Sequence, residues 1–311
     1  MNAPVITAQG LGKRYGRRTV LHEIGFEVGA GEVFGLLGPN GAGKTTTILI
    51  LLGLTEATQG TVRILGEDPQ RNPLKVKRRV GYMPDSVGFY DQLSALDNLR
   101  YTARLLGIEP GERDARIMEA LERVSLAEHA RQRVGSFSHG MRRRLGLAEI
   151  IMKRAPIAIL DEPTSGLDPQ STESFLELIE ELRADGATIL LSSHLLDQVQ
   201  RVCDRVALFN AGRIALAGRV DELARRVLGD SHEVRLTAAG PDIREALATV
   251  PGVSRVHVPE PGRYVLQAAG DVRAEAARAA IEAGAGLQSL AVDVPSLEAI
   301  YRHTFRTGAS T

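Results

Sequence analysis

The sequence predicts an α/β fold on a mixed, mostly parallel sheet, with a helical subdomain and a small C-terminal α+β domain. Apolar runs typical of buried strands alternate with segments that carry apolar residues at helical spacing. A glycine-rich stretch, GPNGAGKTT at 38–46, separates one such strand from one such helix. After about residue 226 the sequence pattern changes, and a new series of short strands and helices follows in the order βαββαβ.

The elements of the larger part follow in order along the chain. Predicted strands lie at 5–8, 24–28, 33–37, 157–160 and 188–191. Predicted helices lie at 93–106, 113–124 and 172–183, the last one ending near Gly186. The first two belong to a mainly helical segment from about Asp85 to Lys153, which predicts a helical subdomain.

The C-terminal part has its own alternation of apolar residues. Predicted strands lie at 232–236, 256–258, 263–266 and 290–292, and predicted helices at 243–250, 272–283 and 296–305. We therefore expect a larger α/β domain at 1–228 and a ferredoxin-like accessory domain at 229–311. The second has no glycine-rich phosphate loop, so we expect it to regulate or to dimerise, the alternative being a stabilising cap.

Composition places the chain among ordinary globular proteins. Its 311 residues are 43% apolar and 24% charged. Lys plus Arg and Asp plus Glu both number 38, and this balance disfavours a nucleic-acid partner. The single cysteine, Cys203, excludes an internal disulfide and indicates a reducing compartment, and we expect it to be a small buried residue.

Apolar runs in the sequence are too short to span a bilayer. The longest, near residues 48–54, falls far short of the roughly 20 residues required. The first residues, MNAPVITAQG, lack the basic and apolar regions of a signal peptide. We therefore expect a cytoplasmic chain; if it acts at a membrane, another subunit must supply the spanning helices.

The stretch GPNGAGKT fits the pattern G-x-x-x-x-G-K-[ST] between a strand and a helix. Glycines allow successive N–H groups to face phosphate oxygens, and the helix start adds unpaired N–H groups. Lys44 is expected to reach the β- and γ-phosphates, and Thr45 to bind Mg²⁺. The residues predicted to hold the nucleotide here are Gly38, Pro39, Asn40, Gly41, Ala42, Gly43, Lys44, Thr45 and Thr46.

Acidic and imidazole side chains follow two strands of the predicted sheet. Asp161 and Glu162 end the apolar run at 157–160, and strand alternation would point them to opposite sides. Asp161 is then expected to hold Mg²⁺, and Glu162 to polarise a water molecule for attack on the γ-phosphate. His194 follows the next strand and is expected near the γ-phosphate.

A second predicted helix start lies upstream of Asp161, in FSHGMRRRL at 137–145. Ser138 and Gly140 could receive a phosphate there, although the pattern is weak by itself. For the basic run at 142–144, a solvated helix face is an equally good interpretation.

Together these residues resemble the ATP-binding cassette (ABC) ATPase family over about residues 4–225. GPNGAGKTT matches its Walker A loop, IAILDE its Walker B strand, SGLD its D-loop, and His194 its switch histidine. FSHGM stands at the LSGGQ signature, with Ser138 and Gly140 retained. Tyr15 matches the aromatic residue that stacks on adenine.

One position departs from the family. The Q-loop glutamine falls at Asp85, whose carboxylate is shorter and negatively charged; it is the third candidate Mg²⁺ ligand, after Thr45 and Asp161. An acidic residue here, and a C-terminal domain ending in PSLE at 295–298, look like the exporter branch that includes drug-resistance and sodium-export ATPases.

The resemblance implies Mg²⁺-dependent ATP hydrolysis and two binding partners. Two copies would face head to tail, so that ATP on one copy's Lys44 is covered by the other's Ser138 and Gly140. An integral membrane permease would dock near Phe89 and Tyr90, and the permease would select the transported cargo. The alternative is a soluble single-cassette ABC ATPase without a transport role; DNA-repair and translation factors and nucleotide kinases fit the motif order less well.

Overall fold

The structure, a computed structural model, describes residues 3–228, 232–293 and 297–306. The chain forms two compact units, Met1–Gly218 and Arg219–Thr311. This division lies before the helix Val220–Leu228, ten residues ahead of the boundary proposed from the sequence, because that helix packs against the last helix of the second unit.

The first unit contains the following strands: β1 Ile6–Tyr15, β2 Arg18–Val28, β3 Val33–Leu37, β4 Gln59–Ile64, β5 Val80–Met83, β6 Ile157–Asp161, β7 Thr188–Ser193, β8 Arg205–Asn210 and β9 Arg213–Gly218. Its helices are α1 Lys44–Leu51, α2 Pro73–Arg79, α3 Ala95–Leu105, α4 Pro110–Arg123, α5 His139–Lys153, α6 Pro169–Ala184 and α7 Leu196–Gln200. Helices α3 to α5 lie in the segment predicted to be helical.

The larger sheet of this unit has six strands in the order β5-β6-β7-β3-β8-β9. The strands from β5 to β8 run parallel, and β9 pairs antiparallel with β8, so the sheet is mixed as predicted. Strands β6, β7 and β3 are neighbours. Their carboxyl ends therefore meet at one edge, where ligands bind in open α/β sheets.

A smaller antiparallel sheet, β2-β1-β4, packs on the larger one. Phe26 of β2 stacks on Phe34 of β3, with ring centroids 5.3 Å apart, inside a core that both sheets share. Strand β1 is longer than the predicted strand at 5–8. Register shifts after Ala8 and Leu11 interrupt its alternation, which hid the rest of the strand from sequence analysis.

The second unit is the predicted ferredoxin-like α+β fold. Its strands are β10 His232–Ala239, β11 Val253–Glu260, β12 Arg263–Ala268 and β13 Gly286–Asp293. Its helices are α8 Val220–Leu228, α9 Arg244–Ala248, α10 Arg273–Glu282 and α11 Leu297–Arg306. The strands pair antiparallel in the order β11-β12-β10-β13 around a core of their own. Ser296, where the last helix is predicted to begin, and Pro295 before it lie outside the described residues.

Helix lengths and hydropathy in the described ranges leave no candidate for a membrane span.

Candidate active site

The loop between β3 and α1 has a backbone that only glycine accommodates at two points. Gly38 has φ 150°, and a Cβ there would lie 2.3 Å from the Phe209 carbonyl oxygen. Gly43 has φ 109°, and a Cβ there would lie 2.5 Å from a methyl group of Leu21. Side chains at these positions would force the loop open, so both glycines are required by its path.

Lys44 is the first residue of α1, and its side chain is 5% exposed. Its ammonium donates hydrogen bonds to the carbonyl oxygens of Gly38 at 2.7 Å and Pro39 at 3.2 Å. The same nitrogen lies 3.1 Å from Oε1 of Glu162. The loop thus folds around a buried cation that faces a carboxylate, and this charge is what β- and γ-phosphates require.

Asp161 ends β6 and is 1% exposed. Its Oδ1 accepts hydrogen bonds from Ser192 Oγ at 2.5 Å and from Thr45 Oγ1 at 3.3 Å. Burial raises the pKa of this carboxyl group; the two hydrogen bonds oppose that rise, and the charges of Glu162 and Asp85 add to it. A cation beside Asp161 would offset the cost of burying the charged carboxylate. The oxygens of Asp161 and Thr45 are hard ligands of the kind that Mg²⁺ prefers.

Glu162 corrects one sequence-based prediction. Strand β6 ends at Asp161, and Glu162 adopts φ 50°, so strand alternation does not direct its side chain. Its N–H donates to Ser192 Oγ at 3.0 Å, and its carboxylate meets Lys44. The two acids therefore converge on one cradle instead of facing opposite sides of the sheet.

His194 lies just beyond β7 and contacts the same carboxylate. Its Nδ1 is 2.8 Å from Oε2 of Glu162, and its backbone N–H donates to that oxygen at 3.3 Å. A carboxylate only accepts hydrogen bonds, so Nδ1 carries the proton in this contact. Glu162 is consequently held by a lysine on one oxygen and a histidine on the other.

Three further predicted ligands, Ser138, Gly140 and Tyr15, are not among the hydrogen-bond or ion-pair partners that the described residues give this cluster. Ser138 caps α5, its Oγ accepting from the Met141 N–H at 3.2 Å, and no hydrogen bond between described residues joins it to loop 38–46. A Cβ on Gly140 would lie 3.7 Å from Leu167 and Ser171, beside the D-loop. Tyr15 is 49% exposed at the end of β1.

Two residues that sequence analysis did not assign support the site. Ser192 bonds both acids; the predicted strand stopped at 191, two residues too early, although the polar pair after an apolar strand was a usable signal. Arg143 is 2% exposed and pairs with Asp85, so the solvated-face interpretation is wrong at this position.

A phosphate loop between β3 and α1, with two acids and a histidine at the same edge of a parallel sheet, defines a P-loop nucleotide hydrolase. Comparison with known proteins identifies the family within this class. The family model described as "ABC transporter" matches residues 21–165. The chain is 36% identical over 236 residues to a linearmycin resistance ATP-binding protein of Bacillus subtilis (strain 168), covering 76% of each chain.

A second relative is matched through the C-terminal unit as well. A daunorubicin resistance ATP-binding protein of Streptomyces coeruleorubidus is 35% identical over 302 residues, 96% of this chain and 95% of its own. A solved structure described as an ATP-binding subunit of an ABC transporter superposes with a TM-score of 0.67 at 32% identity, covering 72% of this chain and 93% of its own. The chain belongs to the ABC transporter ATP-binding protein family, and it is an ATPase.

Proposed function

We propose that this ABC ATPase powers export, working as a homodimer bound to a separate membrane permease at the inner face of the cell membrane. The two curated relatives are named for resistance to linearmycin and to daunorubicin, and removal of a toxic compound is the simplest transport role behind such names. The exposed Tyr90, packed edge-on against Tyr101 with ring centroids 5.3 Å apart, supports the docking surface expected near Phe89 and Tyr90.

One observation carries the hydrolytic part of the proposal: Glu162 lies between Lys44 and His194 at the mouth of the phosphate loop. Glu162 acts as the general base toward the attacking water, and His194 holds its carboxylate in place. Loop 38–46 holds the phosphates and Tyr15 the adenine. Thr45 and Asp161 would hold Mg²⁺, which would neutralise phosphate charge when bound; Asp85, whose Oδ1 pairs with Arg143, is left out of this set.

The place of Ser138 and Gly140 supports the homodimer. Both lie at the start of α5, without a hydrogen bond to the phosphate loop of their own chain in the part that the structure describes. A helix start of this kind serves as a lid when a second copy presents it to the γ-phosphate. Each site is then made of Lys44 from one copy and Ser138 from the other.

Complementation between inactive variants tests this arrangement. Lys44→Ala removes the loop cation, and Ser138→Phe blocks the lid; we expect each variant alone to be nearly inactive. In a mixed dimer, one site combines the intact Lys44 of one copy with the intact Ser138 of the other. The mixture should therefore hydrolyse ATP faster than the sum of the two separate rates.

The matched control mixes Lys44→Ala with Lys44→Ala/Ser138→Phe, a pair in which every site lacks the lysine. This mixture should show no gain. A rate for the first mixture equal to the sum of its parts would contradict the shared site, while leaving the ATPase activity of the wild-type chain untouched.

A further inference from the structure

The basic run at the start of α5 contains the largest fully buried side chain of the chain's described residues. Arg142 and Arg143 are 26% and 2% exposed, so these neighbours differ sharply. A buried guanidinium is expensive unless its donors are satisfied and its charge is balanced. The partners of Arg143 therefore indicate what it does.

Arg143 reaches the segment that follows β5. Its Nη1 donates to the Pro84 carbonyl oxygen at 3.1 Å, and its Nη2 to Oδ1 of Asp85 at 3.0 Å. Its Nε lies 3.4 Å from Nε2 of His139, which in turn lies 3.1 Å from the carbonyl oxygen of Ser165. One side chain thus connects the start of α5 with residue 85 and approaches the D-loop.

The preceding residue, Arg142, contacts the other end of the segment that follows β5. Nη2 of Arg142 lies 2.8 Å from Oδ1 of Asp91, and the Asp91 carbonyl oxygen accepts from the Gly135 N–H at 2.9 Å. Residues 84–91 are therefore bound to the start of α5 at both ends. Only the Arg143 end carries residue 85, the position at which the family's Q-loop glutamine falls.

Asp85 lies at the same edge of the sheet as Asp161, because β5 pairs in parallel with β6, with Met83 opposite Leu160, and residue 85 follows two positions after β5 ends. The charges of Asp161 and Asp85 add to burial in raising the pKa of Tyr82 to about 12. Where the family places a neutral glutamine, this chain has an anion close to where phosphates would bind. An uncompensated anion there would oppose nucleotide binding.

We propose that Arg143 is a positioning residue of the nucleotide site, which neutralises Asp85 and directs its carboxylate toward α5, away from the bound phosphates. The inference rests on the proposed nucleotide site. It makes Arg143 and Asp85 a matched pair: the arginine is needed because residue 85 is acidic, and is dispensable when residue 85 is neutral.

A double-mutant cycle tests the pair, with affinity for a non-hydrolysable ATP analogue and Mg²⁺ measured by calorimetry on the full-length chain. Arg143→Gln should weaken binding roughly tenfold, the scale expected of one unneutralised charge near an anionic ligand. Asp85→Gln should bind within about twofold of wild type. Arg143→Gln/Asp85→Gln should recover that affinity, since no anion remains to be neutralised.

Arg142→Gln is the matched control, because it breaks an ion pair on the adjacent residue without touching Asp85. It should leave the affinity within about twofold. Thermal unfolding of every variant separates stability from binding. If Arg143 is purely structural, Arg143→Gln will lower the melting temperature, but it will not cause a loss of affinity that the added Asp85→Gln substitution restores.

Two results would overturn the inference: affinity of Arg143→Gln within twofold of wild type, or a double variant that binds no better than Arg143→Gln. If Arg143→Gln is recovered unfolded, Asp85→Gln decides alone. Asp85 is 63% exposed, and a glutamine there keeps a carbonyl oxygen that can accept from Arg143, so we expect this variant to fold. A fivefold loss of affinity in it would mean that the carboxylate assists binding. The Lys44→Ala variant serves as the reference: normal affinity there would disprove the nucleotide site itself, whatever the cycle shows.

Discussion

At the scale of single residues, Glu162 concentrates the chemistry, since Lys44 and His194 fix its two oxygens. Glu162→Gln keeps the shape of the side chain and removes its basicity. We expect ATP binding to persist and steady-state hydrolysis to fall by roughly 10²–10⁴-fold, the usual contribution of a general base. An ATP-bound dimer should accumulate, detectable by sedimentation.

Glu177→Gln is the control for this substitution, because Glu177 is exposed on α6 and the change is chemically identical. It should hydrolyse ATP at the wild-type rate. Turnover of Glu162→Gln within about twofold of wild type would remove Glu162 from the reaction.

Lys44 and Tyr15 differ in what they contribute to nucleotide affinity. Lys44→Ala removes a buried cation and leaves Glu162 without its partner, so we expect a large loss of ATP affinity by calorimetry at moderate salt. Tyr15→Ala removes only a stacking contact from an exposed ring, about 1 kcal/mol or roughly fivefold in affinity. The opposite order of losses would count against the adenine role of Tyr15.

Cys203 illustrates a residue whose structural role was predicted correctly. It is 9% exposed, and burial raises the pKa of its thiol. Because the thiolate is the reactive form, the native chain should resist iodoacetamide at neutral pH and react fully once unfolded. Mass spectrometry of native and denatured samples measures this difference, and fast labelling of the native chain would show that the thiol is accessible.

At the scale of elements, the end of β7 organises both acids of the site. Ser192 donates to Asp161 and accepts from the Glu162 N–H, and it is fully buried. Ser192→Ala should cost about 1–3 kcal/mol of unfolding free energy and slow hydrolysis, because a buried N–H loses its acceptor.

Ser193→Ala is the matched control on the same strand, since that hydroxyl accepts from the Leu195 N–H instead. Chemical denaturation gives the unfolding free energies, and steady-state assays give the rates. A rate for Ser192→Ala equal to that of Ser193→Ala would show that the serine does not position the acids.

Element types were predictable from apolar periodicity, but the starts of two helices were not. Helices α4 and α6 were expected from residues 113 and 172, and they begin at Pro110 and Pro169. Each begins with a proline, and Asp168 caps α6 by accepting from the Ser171 N–H. The first turns are polar, so an apolar pattern misses them, whereas the proline and capping signals would have located them.

The site was predictable where its residues lie next to one another in sequence, as in loop 38–46 and the pair 161–162. It was not predictable where distant residues meet. Arg143 and Asp85 are 58 positions apart, and nothing in a basic run tells a solvated arginine from a buried one. Glu162 likewise depends on a local backbone turn that strand alternation does not anticipate.

At the scale of the whole molecule, each unit has a core of its own. The first unit's core joins its two sheets, and the second unit's core includes Val234, Leu236, Leu247 and Leu266, all nearly inaccessible. We propose the second unit as an accessory domain that regulates or dimerises. The match to the relative named for daunorubicin resistance covers 96% of this chain and therefore includes the second unit. A compact unit with its own core is expected to fold independently.

The position of α8 makes this proposal testable by two truncations. A chain ending at Gly218 retains the first unit intact, and we expect it to fold cooperatively and to bind ATP like the full-length chain. A chain ending at residue 228 keeps α8 but loses α11, against which α8 packs, and uncovers Leu223 and Ala224, each 2% exposed in the whole chain. The longer truncation should therefore aggregate more readily, because it exposes an apolar helix face, while its ATP affinity is unchanged. Circular dichroism melting, light scattering and calorimetry on both chains measure these properties. Insolubility or lost ATP binding in the chain ending at Gly218 would mean that the ATPase core needs the second unit, and the accessory role would then give way to a stabilising one.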